Sequence, residues 1–422
     1  MDFNTLLLRL GIDSTCFENR SSEPIKTENG FIYEVEQRKD IRICPHCGKD
    51  DAVINDYDYV EINCSETSHI TDTLRIKKVR FKCKNCYTTF TPAINGIERY
   101  AKISTQTRKM IVKDFASKLT FSEIAKRYGI TTARVLQIFD EEIKFVPRRV
   151  MPSVLCIDEI RFNEEYNQKY CCVLYDFEKK EIVDIIKNRQ MPYLDEYFSA
   201  IPEKERRNVK YFISDMYDAY HTVQRRYFPR ALHIVDLFHV ITQLTNAVNR
   251  IRTITMKRYS EGSIEYNFMK SHWSLFLCRA ENIPDKYYTS RKNGRSYHYD
   301  ELINHCVKTS NDLLEAYTAL QDLFHYHQKY TYKKALAFID YMSNRLISSP
   351  NDILISVGKT YHKWHVEIAR AFSFTTHDIH YTNAIAESLN NHLKTIIKSA
   401  YGYHNFDRFR KRAMLIITYK KI

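Results

Sequence analysis

The sequence predicts a multidomain α+β protein in which two small N-terminal modules precede an α/β core that is interrupted by a mainly helical insertion. Three observations carry this. Two C-x-x-C pairs flank alternating, strand-like segments near the N-terminus. A capping-box helix start is followed by a glycine and a second apolar helical pattern. Between residues 150 and 240, short apolar runs of strand length alternate with helical runs.

Composition narrows the partners. The 422 residues leave room for several domains and one substantial core. Lys and Arg number 64 against 51 Asp and Glu, a net charge of +13 that favours a polyanion, nucleic acid ahead of an anionic membrane surface. No apolar run reaches the roughly 18 residues needed to cross a bilayer. The opening MDFNTLLLRLGIDS is too broken by charge for a secretory signal, so a cytoplasmic location is expected. The 11 cysteines are odd in number and four sit in C-x-x-C pairs, which suits a reducing compartment and metal binding better than disulfides.

In chain order, residues 1–40 read as a short helix from Phe3 to Leu10 and a polar connector reaching Glu28. Residues 41–92 hold Cys44-Pro45-His46-Cys47-Gly48 and Cys83-Lys84-Asn85-Cys86, with alternating segments between them. Four thiolates on two tight turns joined by strands make the tetrahedral Zn²⁺ site of a zinc ribbon, with Cys44, Cys47, Cys83 and Cys86 as ligands. His46 and Cys64 lie nearby but are not needed for four ligands.

Residues 104–145 read as a helix-turn-helix. Thr120 and Glu123 form a capping box, Gly129 allows the turn, and Ile130, Val135 and Ile138 supply an apolar face. In that docking mode Thr131, Thr132, Arg134 and Gln137 would face DNA. An ordinary αα-hairpin has the same pattern; the adjoining zinc ribbon and the positive charge favour the DNA-binding version.

Residues 150–240 read strand 154–160, strand 169–177, strand 181–187, helix near 192–200, strand 209–214, helix near 217–228 and strand 231–235. A three-strand meander followed by alternating helix and strand is the order of a ribonuclease H-like α/β core. Asn163 to Asn167 suits a hairpin between the first two strands. Residues 241–370 are rich in Tyr, His, Lys and Leu at helical spacing and read as an insertion; residues 371–422 carry the last helices of the core.

The chemistry rests on dispersed acids. Asp158 is placed at the C-terminal end of the first core strand, Asp215 follows the strand ending at Ser214, and Glu387 lies on a later helix. Two carboxylates on neighbouring strands and a third from a helix can hold divalent ions about 3.5–4 Å apart for phosphodiester chemistry. Glu159 and Asp218 compete as alternative ligands. Glu387, Asn391, Lys394 and Lys398 step by four, three and four, which places them on one helix face.

The motifs CIDEI, SDMYDAY, HIVDLFHV and YTNAIAESLNNHLKTIIKSAYGYHNFDRFR, behind a cysteine ribbon and a helix pair, resemble the DDE transposases of bacterial insertion sequences, specifically the ISL-three family. The resemblance covers nearly all of residues 40–415. It implies that Asp158, Asp215 and Glu387 bind two Mg²⁺ (or Mn²⁺) ions, and that Asp236 and His239 lie close to the active site. Asp236 also reads as a helix N-cap and His239 as a helix-start histidine. The stretch Tyr-Thr-Asn-Ala-Ile-Ala-Glu departs from the family, where a Gly and a second small residue or Pro are common.

The function expected is metal-dependent cleavage and strand transfer at the terminal inverted repeats of an insertion sequence. The partners are double-stranded repeat and target DNA, with no small-molecule substrate and no membrane, in the nucleoid of a bacterial cell. Arg134 and Gln137 are candidate base readers, and Lys394, Lys398, Arg408, Arg410, Lys411 and Arg412 candidate phosphate contacts. Pairing two ends implies a homodimer on DNA. Two alternatives are a DNA-binding regulator with an inactive core and a structure-selective nuclease of the same fold.

Overall fold

The computed structural model describes the chain except residues 1–3, 5–6, 9, 21–22, 29, 41, 65–71, 99–100, 145–149, 163–168, 327–330, 374–383, 401–402 and 420–422; the side chains of residues 19, 20, 326, 384, 385, 387, 418 and 419 are also outside the description. The chain divides into two compact units, residues 1–146 with 392–422, and residues 147–391.

In the first unit, strands β1 (Phe17–Arg20), β2 (Ile25–Thr27), β3 (Gly30–Gln37), β4 (Ala52–Asn63), β5 (Thr73–Cys83) and β6 (Thr89–Phe90) form one sheet in the order β1-β3-β5-β4, with β2 on β3 and β6 on β5. β1 and β2 fall within the stretch to Glu28 expected as a polar connector and correct it, and β3 lies beyond that stretch. Gly30–Gln37 pairs in parallel with β5, Val35 opposite Ile76, and its inward residues Val35 and Gln37 are buried. Glu34 and Glu36 alternate with these buried residues, and the pairing partner is distant in sequence, so local pattern alone does not mark the strand. Asn4, Leu7 and Leu8 are helical, and Leu7 and Leu10 are buried in the core beside β3, β4 and β5.

Helices α1 (Thr105–Asp114), α2 (Phe121–Tyr128) and α3 (Thr132–Glu142) follow. Thr120 and Glu123 close the expected capping box. Gly129 takes φ 62°, the left-handed conformation that costs glycine nothing, and so turns the chain between α2 and α3. Ile111, Phe115, Ile124, Val135, Ile138 and Phe139 form the core of this module, with Ile130 partly buried against it.

The second unit holds β7 (Val154–Arg161), β8 (Tyr170–Asp176), β9 (Glu181–Ile186), α4 (Met191–Ser199), β10 (Tyr211–Ser214), α5 (Asp218–Tyr227) and β11 (Leu232–Val235), each within about two residues of its expected place. The sheet order is β11-β10-β7-β8-β9; β7, β8 and β9 are antiparallel, while β10 lies parallel to both β7 and β11. Leu155, Ile157, Leu194, Phe198, Phe212, Tyr220 and Val223 fill the layer between the sheet and α4 and α5. The segment expected to form the β7–β8 hairpin, Asn163 to Asn167, lies outside the described residues.

After β11 the chain continues with α6 (Leu237–Met256), α7 (Ile264–Ser271), a hairpin of β12 (Tyr287–Thr289) and β13 (Ser296–His298), and α8 (Tyr299–Lys308), α9 (Asn311–Tyr326), α10 (Tyr332–Ile347), α11 (Asp352–Lys363) and α12 (His365–Ser373). This stretch is mainly helical, and the hairpin in it was not anticipated from the sequence. The last helices are α13 (Ala384–Ser399) and α14 (Phe406–Tyr419). Among the described residues no helix is long and apolar enough to cross a membrane.

Candidate active site and metal centre

Strand register brings the first two acids together. β10 pairs with β7 as Tyr211 to Val154, Phe212 to Leu155 and Ile213 to Cys156. Continued two steps, this register sets Asp215 beside Asp158. The sequence placed Asp158 at the end of its strand; it is instead interior, opposite Val173 of β8, because β7 stays paired with β8 as far as Arg161 after β10 has ended. Asp158 thus stands where the strand loses one neighbour and keeps the other.

Both oxygens of Asp158 are engaged. Oδ1 accepts from the Glu159 N–H at 2.8 Å, and Oδ2 accepts from Asn390 Nδ2 at 2.8 Å. The buried Tyr175 hydroxyl donates to Asn390 Oδ1, which fixes the amide with its NH₂ toward Asp158. Asn390 is on α13, three residues after Glu387, the spacing that puts two positions on one helix face. The Glu387 side chain lies outside the described residues.

Asp215 is less well satisfied. Its Oδ1 is buried and has no hydrogen-bond partner among the described residues. Burial, then the Glu159 charge, pushes its carboxyl up to about 6, with Asp158 adding to the effect and His239 and Arg189 opposing it. Burial likewise pushes Asp158 up to about 6 against the Glu159 N–H and the His239 imidazole. Two buried carboxylates in each other's field oppose ionisation, the condition a divalent cation would relieve.

The competing acids are already paired. Glu159 accepts from Arg189 at 2.5 Å, and the Arg189 guanidinium lies over the Tyr170 and Tyr217 rings. Asp218 is exposed and bonds Lys363 at 2.5 Å. Asp236 is buried and caps α6 by accepting from the Phe238 N–H at 3.1 Å; His239 Nε2 is 3.9 Å from its Oδ2. Asp236 therefore is a helix cap, and His239 is also within electrostatic reach of Asp158 and Asp215.

In the first unit the thiols of Cys44, Cys47, Cys83 and Cys86 lie within 4.8 Å of one another, with Cys44 to Cys86 and Cys47 to Cys83 each 3.6 Å. The two turns repeat one design. Gly48 N donates to Cys44 O at 2.9 Å and Tyr87 N to Cys83 O at 3.0 Å, while Cys44 N donates to Lys49 O and Cys83 N to Thr88 O. Gly48 and Tyr87 both have positive φ, 71° and 58°. The Thr88 hydroxyl and N–H pull the Cys86 thiol down to about 6, toward the thiolate a metal needs. This cluster could hold Zn²⁺. Cys64 is buried in a different core cluster and His46 is exposed.

The residues expected to face DNA divide. Thr131, Thr132 and Gln137 are exposed and Arg134 partly so; Thr131 caps α3, and Arg134 donates to Gln137 at 2.7 Å. Lys394 and Lys398 are exposed. Arg408 is paired with Asp140, and Arg410 and Lys411 are half-buried. Arg412 corrects an expectation: it is buried, donates to the Leu119 carbonyl and lies over the Phe121 ring at 4.5 Å, because α14 packs this side of its face onto the helical module. Its guanidinium is a packing anchor rather than a surface charge.

Sequence reasoning did not single out Tyr175, and it cited Asn390 only within the family resemblance. Tyr175 carried no motif, and a buried Tyr in a strand reads as core. No curated protein matches the chain. A family model described as a transposase, of the DDE type named for ISL-three, matches residues 155–413. That span runs from within β7 into α14, more than half of the chain, so the chain belongs to the ISL-three family of DDE transposases.

Proposed function

We propose that this transposase cuts and joins DNA at a centre formed by Asp158, Asp215 and Glu387, and that its core is ribonuclease H-like. The sheet order, with an antiparallel meander extended by two parallel strands, supports the fold. The observation that carries the site is the Asn390 to Asp158 hydrogen bond, which ties the helix bearing Glu387 to the strand bearing Asp158. The unpartnered Asp215 Oδ1 and the raised carboxyls fit a divalent cation held between these strands.

Bound Mg²⁺ would activate the attacking oxygen and stabilise the leaving one in an in-line displacement. The residues do the positioning. Tyr175 and Asn390 hold Asp158 in one orientation, and Asp236 starts α6, which carries His239 within electrostatic reach of both carboxylates. Arg189 keeps Glu159 occupied as an ion pair, leaving Asp158 and Asp215 as the ionisable pair of the corner.

The α2–α3 pair acts as a helix-turn-helix, with Arg134 and Gln137 as base readers, and the cysteine cluster is a structural Zn²⁺ ribbon beside it. Exposed Lys394 and Lys398 contact phosphates. Two transposon ends imply a dimer on DNA.

The test compares supercoiled plasmids carrying the DNA that flanks this reading frame with plasmids whose flanks are scrambled, in Mg²⁺. Cleavage confined to the native flanks is expected. Equal cutting of both, or of branched DNA alone, would replace the proposal with a nuclease; binding without cutting would replace it with a regulator.

A further inference from the structure

Beside β11 a second group of ligands converges outside the carboxylate corner. His221 on α5, His233 on β11 and Glu367 on α12 each present one ligand atom, and these atoms lie within 4.8 Å of one another. His221 Nε2 is 3.7 Å from Glu367 Oε1. The two imidazoles stack with centroids 5.8 Å apart, and the Trp364 ring stands edgewise to both, at 5.2 Å from His221 and 5.8 Å from His233.

The hydrogen bonds fix the tautomer of His233. Ser214 Oγ donates its single hydrogen to the Asp215 carbonyl at 2.8 Å. At 2.8 Å from His233 Nε2 the same oxygen can then only accept, so Nε2 carries the proton. Nδ1 is left with a bare lone pair, buried, and without a hydrogen-bond partner among the described residues. An unsatisfied buried acceptor costs about 1–3 kcal/mol and calls for an explanation.

We propose that His221, His233 and Glu367 bind one zinc-class transition-metal ion, with His233 ligating through Nδ1. Two imidazoles and one carboxylate suit a borderline metal with an open fourth position, whereas Mg²⁺ prefers oxygen ligands throughout. Ser214 is the outer partner that orients the His233 ring. Zn–N bonds near 2.0–2.1 Å put tetrahedral ligand atoms about 3.4 Å apart. Closing from 4.8 Å falls to His221 and Glu367, which are less buried than His233. Arg370, which bonds the His233 carbonyl at 3.2 Å, is the opposing charge, and Glu367 offsets it. An ion here would clamp α5 and α12 to β11 and, through Ser214, steady the backbone at Asp215.

The experiment measures zinc per full-length chain by elemental analysis after loading and gel filtration, for wild type, His221→Ala, Glu367→Gln and Asp158→Asn. Wild type and Asp158→Asn are expected to carry one equivalent more than His221→Ala and Glu367→Gln, whatever the cysteine cluster contributes. In Co²⁺-loaded protein the same two variants lose the nitrogen–oxygen ligand-field bands while thiolate charge-transfer bands persist, which shows that the first unit remains folded. Equal zinc in wild type and both variants would overturn the proposal.

Discussion

In the proposed reading, the cysteine cluster and the carboxylate corner gather metal ligands in opposite ways. The four thiols ride on two short turns with the same hydrogen-bond design, so most of their geometry is local. The carboxylates come from a strand interior, the end of a second strand and a helix far along the chain, and the two described ones stay partly frustrated, with carboxyls near 6 and a bare oxygen on Asp215. A structural site is stable when it is closed, whereas a catalytic site must keep unsatisfied capacity for substrate and metal.

The largest effect is expected at the closed site. Cys83→Ser should abolish zinc binding and with it the order of β4 to β6, since structural zinc supplies on the order of 10 kcal/mol of folding free energy. Limited proteolysis would show the loss; a ribbon that stays protected without zinc would break the comparison.

At the open site the sign reverses. The carboxyl of Asp215 is raised from 3.8 to about 6 in the folded chain, so folding takes up protons between those values and stability falls as pH rises through about 4 to 6. Asp215→Asn should therefore stabilise the metal-free protein at pH 7, by up to about 3 kcal/mol on the relation of one pKa unit to 1.36 kcal/mol, and the gain should vanish below about pH 4. Denaturant titrations at pH 7 and pH 3.5 would read this. Mn²⁺ is expected to raise the melting temperature of the wild type and to leave that of Asp215→Asn unchanged.

A smaller effect sharpens the role of orientation. Asn390→Ala leaves Asp158 without its side-chain partner and should weaken divalent-ion affinity by about 10–100-fold, the usual cost of removing an outer partner of a ligand. Calorimetry would measure it; unchanged affinity would mean that Asn390 is only a packing residue. The smallest effect is Tyr87→Gly, which relieves a left-handed φ of 58° on the second turn and should stabilise the ribbon by about 1 kcal/mol, seen as slower zinc release to a chelator.

The same contrast explains what could be read from the sequence. The C-x-x-C turns and the Thr120–Glu123–Gly129 punctuation are encoded within a few residues, and β7, β8 and β9 announce themselves as apolar runs. By contrast, β3 becomes a strand by pairing with β5, and the β12–β13 hairpin is short and rich in tyrosine and histidine, so local pattern hides both. Asp158 and Asp215 could be found because each follows an apolar run. Asn390, 232 residues from Asp158, and the His221, His233 and Glu367 group could not, since only the fold brings them together. Arg412 misled for a related reason: a basic run on a helix says nothing about which of its members is buried.

Asp158, Asp215 and Glu387 are proposed to form one DNA-cutting centre. Its most direct test is the rate of cleavage at the flanking DNA in Mg²⁺ by wild type, Asp158→Asn, Asp215→Asn, Glu387→Gln and the exposed control Asp218→Asn, each first shown to bind that DNA. A loss of about a thousandfold is expected for each of the first three variants, the scale seen when groups that stabilise transition-state charge are removed, with near wild-type cleavage for Asp218→Asn. Wild-type cleavage by any of the three, or loss of cleavage in Asp218→Asn alone, would contradict it.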